Sequence, residues 1–323
     1  MPVSLKPTGA AIAAAALSLS LAAPSAAQAP AAASEQAQAD EIVVIGRRSG
    51  VPMWRVSGPE TTIVLVGSIQ GVSKTTKWDP EALTEALRKA DRVMFPQSHA
   101  LTASPFRLIG WLAKWKAMGS LPEGQSLQQF VGPDEMRRLA ALQAAGMVRK
   151  DYARRHPLHL ANDLRDRAQG DIDFGRAAGE YVQRTVKKDK LAVAVNPIAK
   201  SKARPVVKDL FASTPEEHVP CLRASIAAAE AGPAAVQARS DAWAARRVQE
   251  VLASPMEKVF ASCWPAGEDF MASRDELLAQ MRHLLSEKQV TMAVLQLRTL
   301  AETGGILDAL EAAGYDIQGP AWK

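Results

Sequence analysis

TTIVLVG at residues 61–67, DPEALTEALRKAD at 79–91 and RVMF at 92–95 together decide the fold. The first run is β-branched, apolar and closed by glycine and serine, the pattern of a buried strand. Asp79 is placed to cap a helix, and Pro80 suits its first turn. Leu83, Leu87 and Ala90 then repeat at helical spacing. RVMF follows as a short strand that Pro96 ends. Strand, helix, strand in this order makes a βαβ unit, so a sheet with parallel neighbours is expected.

The C-terminal end repeats this logic. VTMAVL at 290–295 reads as a strand, 305–313 as a helix with Gly314 as its stop, and 315–317 as a last strand. Between the two ends the periodicity is helical over 133–145, 157–168, 174–186, 202–252 and 269–285. LAVAV at 191–195 breaks it as a buried strand before Asn196-Pro197. The expected class is α/β (α+β): a mixed sheet from two βα halves with a large helical insert at about 103–285.

Upstream, residues 1–29 read as a secretory signal. Lys6 gives a weakly positive start, 10–23 (AAIAAAALSLSLAA) an apolar run, and small residues follow, with cleavage after Ala29 or after Ala26. An exported protein, periplasmic or secreted, is the expectation. Residues 30–40 are polar and alanine-rich, with no face to bury, and read as a flexible linker. EIVVIGRR at 41–48 is either a first strand or a segment like the TonB boxes of outer-membrane receptors. After the signal, no stretch reaches the roughly 18 apolar residues that a span requires.

The chain has 323 residues, with 47% hydrophobic and only 5% aromatic residues, which suits a helix-rich core of small side chains. Two cysteines, Cys221 and Cys263, fit an oxidising compartment. Paired, they close a loop of about 43 residues worth roughly 4 kcal/mol; otherwise they are two buried thiols. The net charge of +5 is modest. Basic residues nevertheless cluster at Arg184, Lys187, Lys188, Lys190, Lys200, Lys202, Arg204 and Lys208, with only Asp189 and Asp209 among them. This window is either a solvated face or a contact for an anionic partner such as lipid headgroups or acidic polysaccharide. No nucleic-acid module accompanies it. The P-loop, GxGxxG, GxSxG and CxxC motifs are absent, and no cofactor is implied by any of them.

Several short motifs then fall in a specific order. Pro52-Met53-Trp54-Arg55-Val56, Gly67-Ser68-Ile69-Gln70, Ala90-Asp91, Ala242-Trp243-Ala244 with Arg274, and Gly305-Ile306-Leu307 to Gly314-Tyr315-Asp316-Ile317 span residues 51–318. Together they resemble the TraB/GumN family, related to the Tiki-type metalloproteases. The resemblance implies a GxxH histidine at the end of each of two strands and a glutamate at the end of two others. Gln70 and Thr299 stand at the histidine positions, and Pro96 and Asn196 at the glutamate positions. A divalent metal hydrolase needs imidazole or carboxylate ligands with an open position for water. A degenerate, catalytically silent member is therefore expected, with no resident metal. Its ligand should bind in a cleft at the strand ends, lined by Ser68, Gln70, Gln97, His99, Asn196, Arg298 and Thr299, with Arg298 able to take an anionic group.

Two other readings stand beside this one. One is a metal-dependent hydrolase or peptidase with rearranged residues. For it, His99 beside Ser98, or His156 and His159 with Asp163 on one helix face, would supply the chemistry. Alternation along a strand points Ser98 and His99 apart, and Pro157 places His156 at a helix edge, where a capping role suits it. His218 and His283 read as isolated. The other reading is a structural or assembly partner docked at the envelope through the basic window.

Overall fold

Residues 61–67 become an inner strand of a six-stranded sheet. The computed structural model describes residues 50–323, apart from 96–97, 103, 173, 176, 194–197 and 264–267. The segments at 1–29, 30–40 and 41–48 lie outside the described residues. Strand β1 (Met53–Ser57) runs antiparallel to β2 (Thr62–Ser68), with Val56 opposite Ile63. Short β3 (Val72–Ser73) follows, then helix α1 (Glu81–Arg88) and strand β4 (Arg92–Met94). Asp79 caps α1 as expected: its Oδ1 accepts from the Glu81 amide at 2.8 Å.

Beyond β4 come β5 (Ser98–Thr102) and helices α2 (Pro105–Ala117), α3 (Pro133–Ala144) and α4 (Pro157–Gln169). Next are β6 (Phe174–Gly175), α5 (Ala178–Asp189), β7 (Ala192–Val193), β8 (Ile198–Lys202) and α6 (Ala203–Ala212). Helix α7 (Val219–Ala244) is kinked where Gly232 takes φ +65° ahead of Pro233, since proline cannot continue the hydrogen-bond ladder. Helices α8 (Val248–Ala253), α9 (Pro255–Cys263) and α10 (Glu268–Leu285) lead to β9 (Thr291–Gln296). Helices α11 (Leu297–Ala301) and α12 (Ile306–Ala312) and strand β10 (Asp316–Gln318) complete the chain.

The sheet order is β10-β1-β2-β9-β4-β7. β2, β9, β4 and β7 are parallel, while β1 and β10 extend the sheet antiparallel. The fold is thus the mixed α/β class expected. The two ends of the chain interleave: β9, from the C-terminal end, lies between β2 and β4. Asp91 helps set this register, its carboxylate accepting from the Val290 amide at 2.8 Å just before β9.

The local readings fail at three places. Residues 174–186 do not form one helix, because Phe174 and Gly175 pair with Ser73 and Val72 and the helix begins only at Ala178. Strand pairing outcompetes helix propensity there. The described part of LAVAV is not a buried strand: β7 is an edge strand whose Ala192 and Val193 are exposed, and residues 194–195 lie outside the described residues. His218 is not isolated, its ring centroid lying 5.5 Å from that of His156.

One core lies around the sheet, from Trp54, Leu65 and Val66 through Met94 and Leu295 to Trp243 and Leu307. A second joins α3, α4 and α7 through Leu139, Leu142, Leu160, Leu164, Leu222 and Ile226. Cys221 of α7 and Cys263 of α9 form a disulfide, tying the two helices together. Among the described residues, no helix is long and apolar enough to cross a membrane.

Candidate functional site at the strand ends

Parallel pairing puts Ser68 opposite Gln296, so β2 and β9 end side by side. Gly67 lets this edge close: a Cβ there would lie 2.6 Å from Leu297 Cδ1 and 3.2 Å from the Trp54 ring. Its backbone is held at both ends, the amide donating to Pro52 O and the carbonyl accepting from Trp243 Nε1, each at 2.9 Å. Beyond it, Ser68 and Ile69 are buried while Gln70 reaches solvent. Ser68 Oγ faces the first turn of α5, 3.5 Å from the place a Cβ on Gly179 would take. On β9 the matching side chain, Gln296, is exposed, and Arg298 and Thr299 are half-buried in α11.

Helix α7 grips the chain as it leaves β2. Arg239 donates from Nη2 to Gln70 O at 3.0 Å and from Nη1 to Gly71 O at 3.2 Å. Ser240 Oγ accepts from the Ser73 amide at 3.1 Å, and Thr76 Oγ1 donates to Asp241 at 2.7 Å. Gln237 bonds both Thr75 and Thr76. Arg239 and Trp243, four residues apart, share a face of α7.

Behind this grip lies an ion network with a buried centre. Arg239 and Glu257 are 1% and 7% exposed, with Arg239 Nε donating to Glu257 Oε1 at 2.7 Å. Arg298 donates from Nη2 to the Glu257 carbonyl at 2.9 Å and from Nη1 to Glu302 at 3.0 Å. That Glu257 carbonyl is main-chain, and Arg298 Nε also lies 4.0 Å from Glu257 Oε2, so two guanidinium groups meet two carboxylates. Arg298 is committed to this network rather than held open toward the cleft, although its buried Nε has no hydrogen-bond partner among the described residues. Sequence reading picked out Arg298 but missed Arg239 and Glu257. Their only signal was the face Arg239 shares with Trp243, and nothing marked Arg239 over Arg246 or Arg247.

The other candidates fall elsewhere. Pro96, Gln97 and Asn196 lie outside the described residues. His99 is on β5, which pairs with β8 in a separate two-stranded sheet, His99 opposite Ala199. His156 caps α4, its Nδ1 accepting from the Leu158 amide at 3.3 Å. His159 lies against Trp115, ring centroids 4.0 Å apart. Asp163 is taken by Arg155 at 2.7 Å. Burial, then the neighbouring His218 and His159, push the His156 pKa down to about 4, and burial lowers His159 and His218 as well. Burial thus favours the neutral form of each. Among the described residues, no group of three or more His, Cys, Asp or Glu side chains is arranged to hold a metal ion.

The basic window divides between two places. Arg184, Lys187 and Lys188 are on α5, with Lys190 as its left-handed C-cap. Lys187 and Lys190 flank an apolar groove of about 440 Å³ that includes Phe95, Val186 and Val193. Lys200 and Lys202 are on β8, and Arg204 and Lys208 on α6.

Residues 52–319, running from the residue before β1 to the residue after β10, match the model of the TraB/PrgY/gumN family. The chain belongs to the TraB/PrgY/gumN family. No curated protein and no solved structure matches it. In this TraB/PrgY/gumN protein, the two described positions of the implied metal set are Gln70, a neutral amide, and Thr299, a neutral hydroxyl. Both are weak donors for zinc and similar ions, which favour imidazole, thiolate or carboxylate. Neither of these two side chains fits such a metal.

Proposed function

We propose that this protein is an exported member of the TraB/PrgY/gumN family that binds a ligand at the carboxyl ends of β2 and β9 and is catalytically silent there. The observation that carries the reading is the donor set at that edge. Gln70 and Gln296, exposed just past the strand ends, and half-buried Thr299 of α11 carry neutral amide and hydroxyl groups, and the nearby arginines are committed to Glu257 and Glu302. Neutral groups of this kind recognise a ligand by hydrogen bonds and cannot lower the pKa of a water by coordination. A polar, hydroxyl-rich envelope ligand suits them better than a strongly anionic one. Export is supported by the signal-like N-terminus and by the Cys221–Cys263 disulfide, a bond that persists in oxidising compartments.

The test is ligand-observed NMR of the purified protein against neutral and acidic oligosaccharides and peptidoglycan fragments. Binding of one class that Gln70→Ala with Thr299→Val weakens at least tenfold is expected. Turnover of any probe, lost on chelation or in His99→Ala, would overturn the reading in favour of a hydrolase with rearranged residues.

A further inference from the structure

Helix α2 (Pro105–Ala117, PFRLIGWLAKWKA) exposes the side it would normally bury. Phe106 is 86% exposed, Ile109 67%, Leu112 68% and Leu108 54%. Phe106, Ile109 and Leu112 recur every three residues, so they share a face. A helix in a globular protein buries its apolar stripe, and a contiguous exposed patch of large side chains marks a contact surface. The helix is nevertheless anchored. Trp115 rests on His159, and Lys114 Nζ lies 5.9 Å over the ring of Phe211 on α6.

The charges around the patch say what covers it. Arg107, Lys114 and Lys116 are exposed on the same helix, and between Asp91 and Glu123 the chain has no carboxylate side chain. Neighbouring α6 adds Lys208, exposed, beside the helix's one acid, Asp209. A second copy of this chain would bring the same cations face to face with no carboxylate between them, which opposes self-association. An anionic lipid surface is complementary to both features: its acyl boundary takes Phe106, Ile109 and Leu112, and its headgroups take the cations.

We propose that α2 is an interfacial anchor that lies in the headgroup region of an anionic bilayer, without spanning it. The proposal does not rest on the strand-end cleft or on its ligand.

The test places an environment-sensitive fluorophore on the full chain at Ile109→Cys, and at Asp316→Cys on β10 as a control. The two native cysteines are bonded to each other, so the introduced thiol is the one that labels. Vesicles of phosphatidylglycerol and phosphatidylcholine should raise and blue-shift the Ile109→Cys signal at least twofold. The Asp316→Cys signal should stay unchanged. Pure phosphatidylcholine, or 0.5 M salt, should weaken the apparent affinity about tenfold, as loss of the headgroup attraction requires. An Ile109→Cys signal that ignores anionic vesicles would overturn the proposal, even if the protein floats with them. So would a rise with protein concentration in the absence of lipid, because the occupant would then be a second copy.

Discussion

Replacing Glu257 with leucine tests the ion network that holds the strand-end edge together. Arg239 would keep its two backbone acceptors, Gln70 O and Gly71 O, but lose its Glu257 carboxylate while 1% exposed. An unpaired buried charge costs about 3–5 kcal/mol. At roughly 2–3 °C per kcal/mol for a domain of this size, the melting temperature should fall by about 6–15 °C. Arg239→Leu should cost a similar amount, because Glu257 is then stranded and two carbonyls lose their donor, each worth about 1 kcal/mol. The double variant carries neither orphaned charge. Its loss should be smaller than the sum of the single losses by about 2–4 kcal/mol. Urea unfolding of all four proteins reads this coupling directly. Additive losses, with coupling below about 0.5 kcal/mol, would refute the claim that the pair is a buried, mutually compensating unit.

Three other outcomes follow. Stability should fall as pH drops from 6.5 towards 4. Burial holds the folded-state pKa of His156 at about 4, below its unfolded value, so the unfolded chain takes up the proton first. His159 and His218 shift in the same direction, and thermal melts of His156→Asn against the native chain should show a shallower acid slope. Reducing Cys221–Cys263, which closes a sequence separation of 42, should lower stability by roughly 4 kcal/mol in denaturant unfolding, and thiol titration of the unreduced protein should find no free thiol. Gly319→Val should destabilise by at least about 2 kcal/mol in the same assay, because a Cβ there meets the Trp54 ring at 2.4 Å and Met53 O at 2.7 Å.

Much of the fold was legible because its signals are local. TTIVLVG, the Asp79-Pro80 start and the Gly314 stop each specify their element through chemistry within a few residues. The placement of β9 between β2 and β4 was not legible, since strand order is set by long-range packing that no window of sequence contains. The pairing of Val72–Ser73 with Phe174–Gly175 was hidden for the same reason, and it displaced a helix that periodicity favoured. At the site, glycine fixed the register of Gln70 at the end of β2. Arg239 and Glu257 were invisible because a buried arginine and a solvated one look alike in sequence, and only the fold brings residues 18 positions apart into a bonded pair.

The most direct test of the central claim, a TraB/PrgY/gumN scaffold whose strand-end site binds without a metal, is elemental analysis of the purified protein after mild dialysis. Less than about a tenth of an equivalent of any transition metal per chain is predicted, given the weak neutral donors at Gln70 and Thr299. A stoichiometric metal that is lost in Gln70→Ala would contradict it.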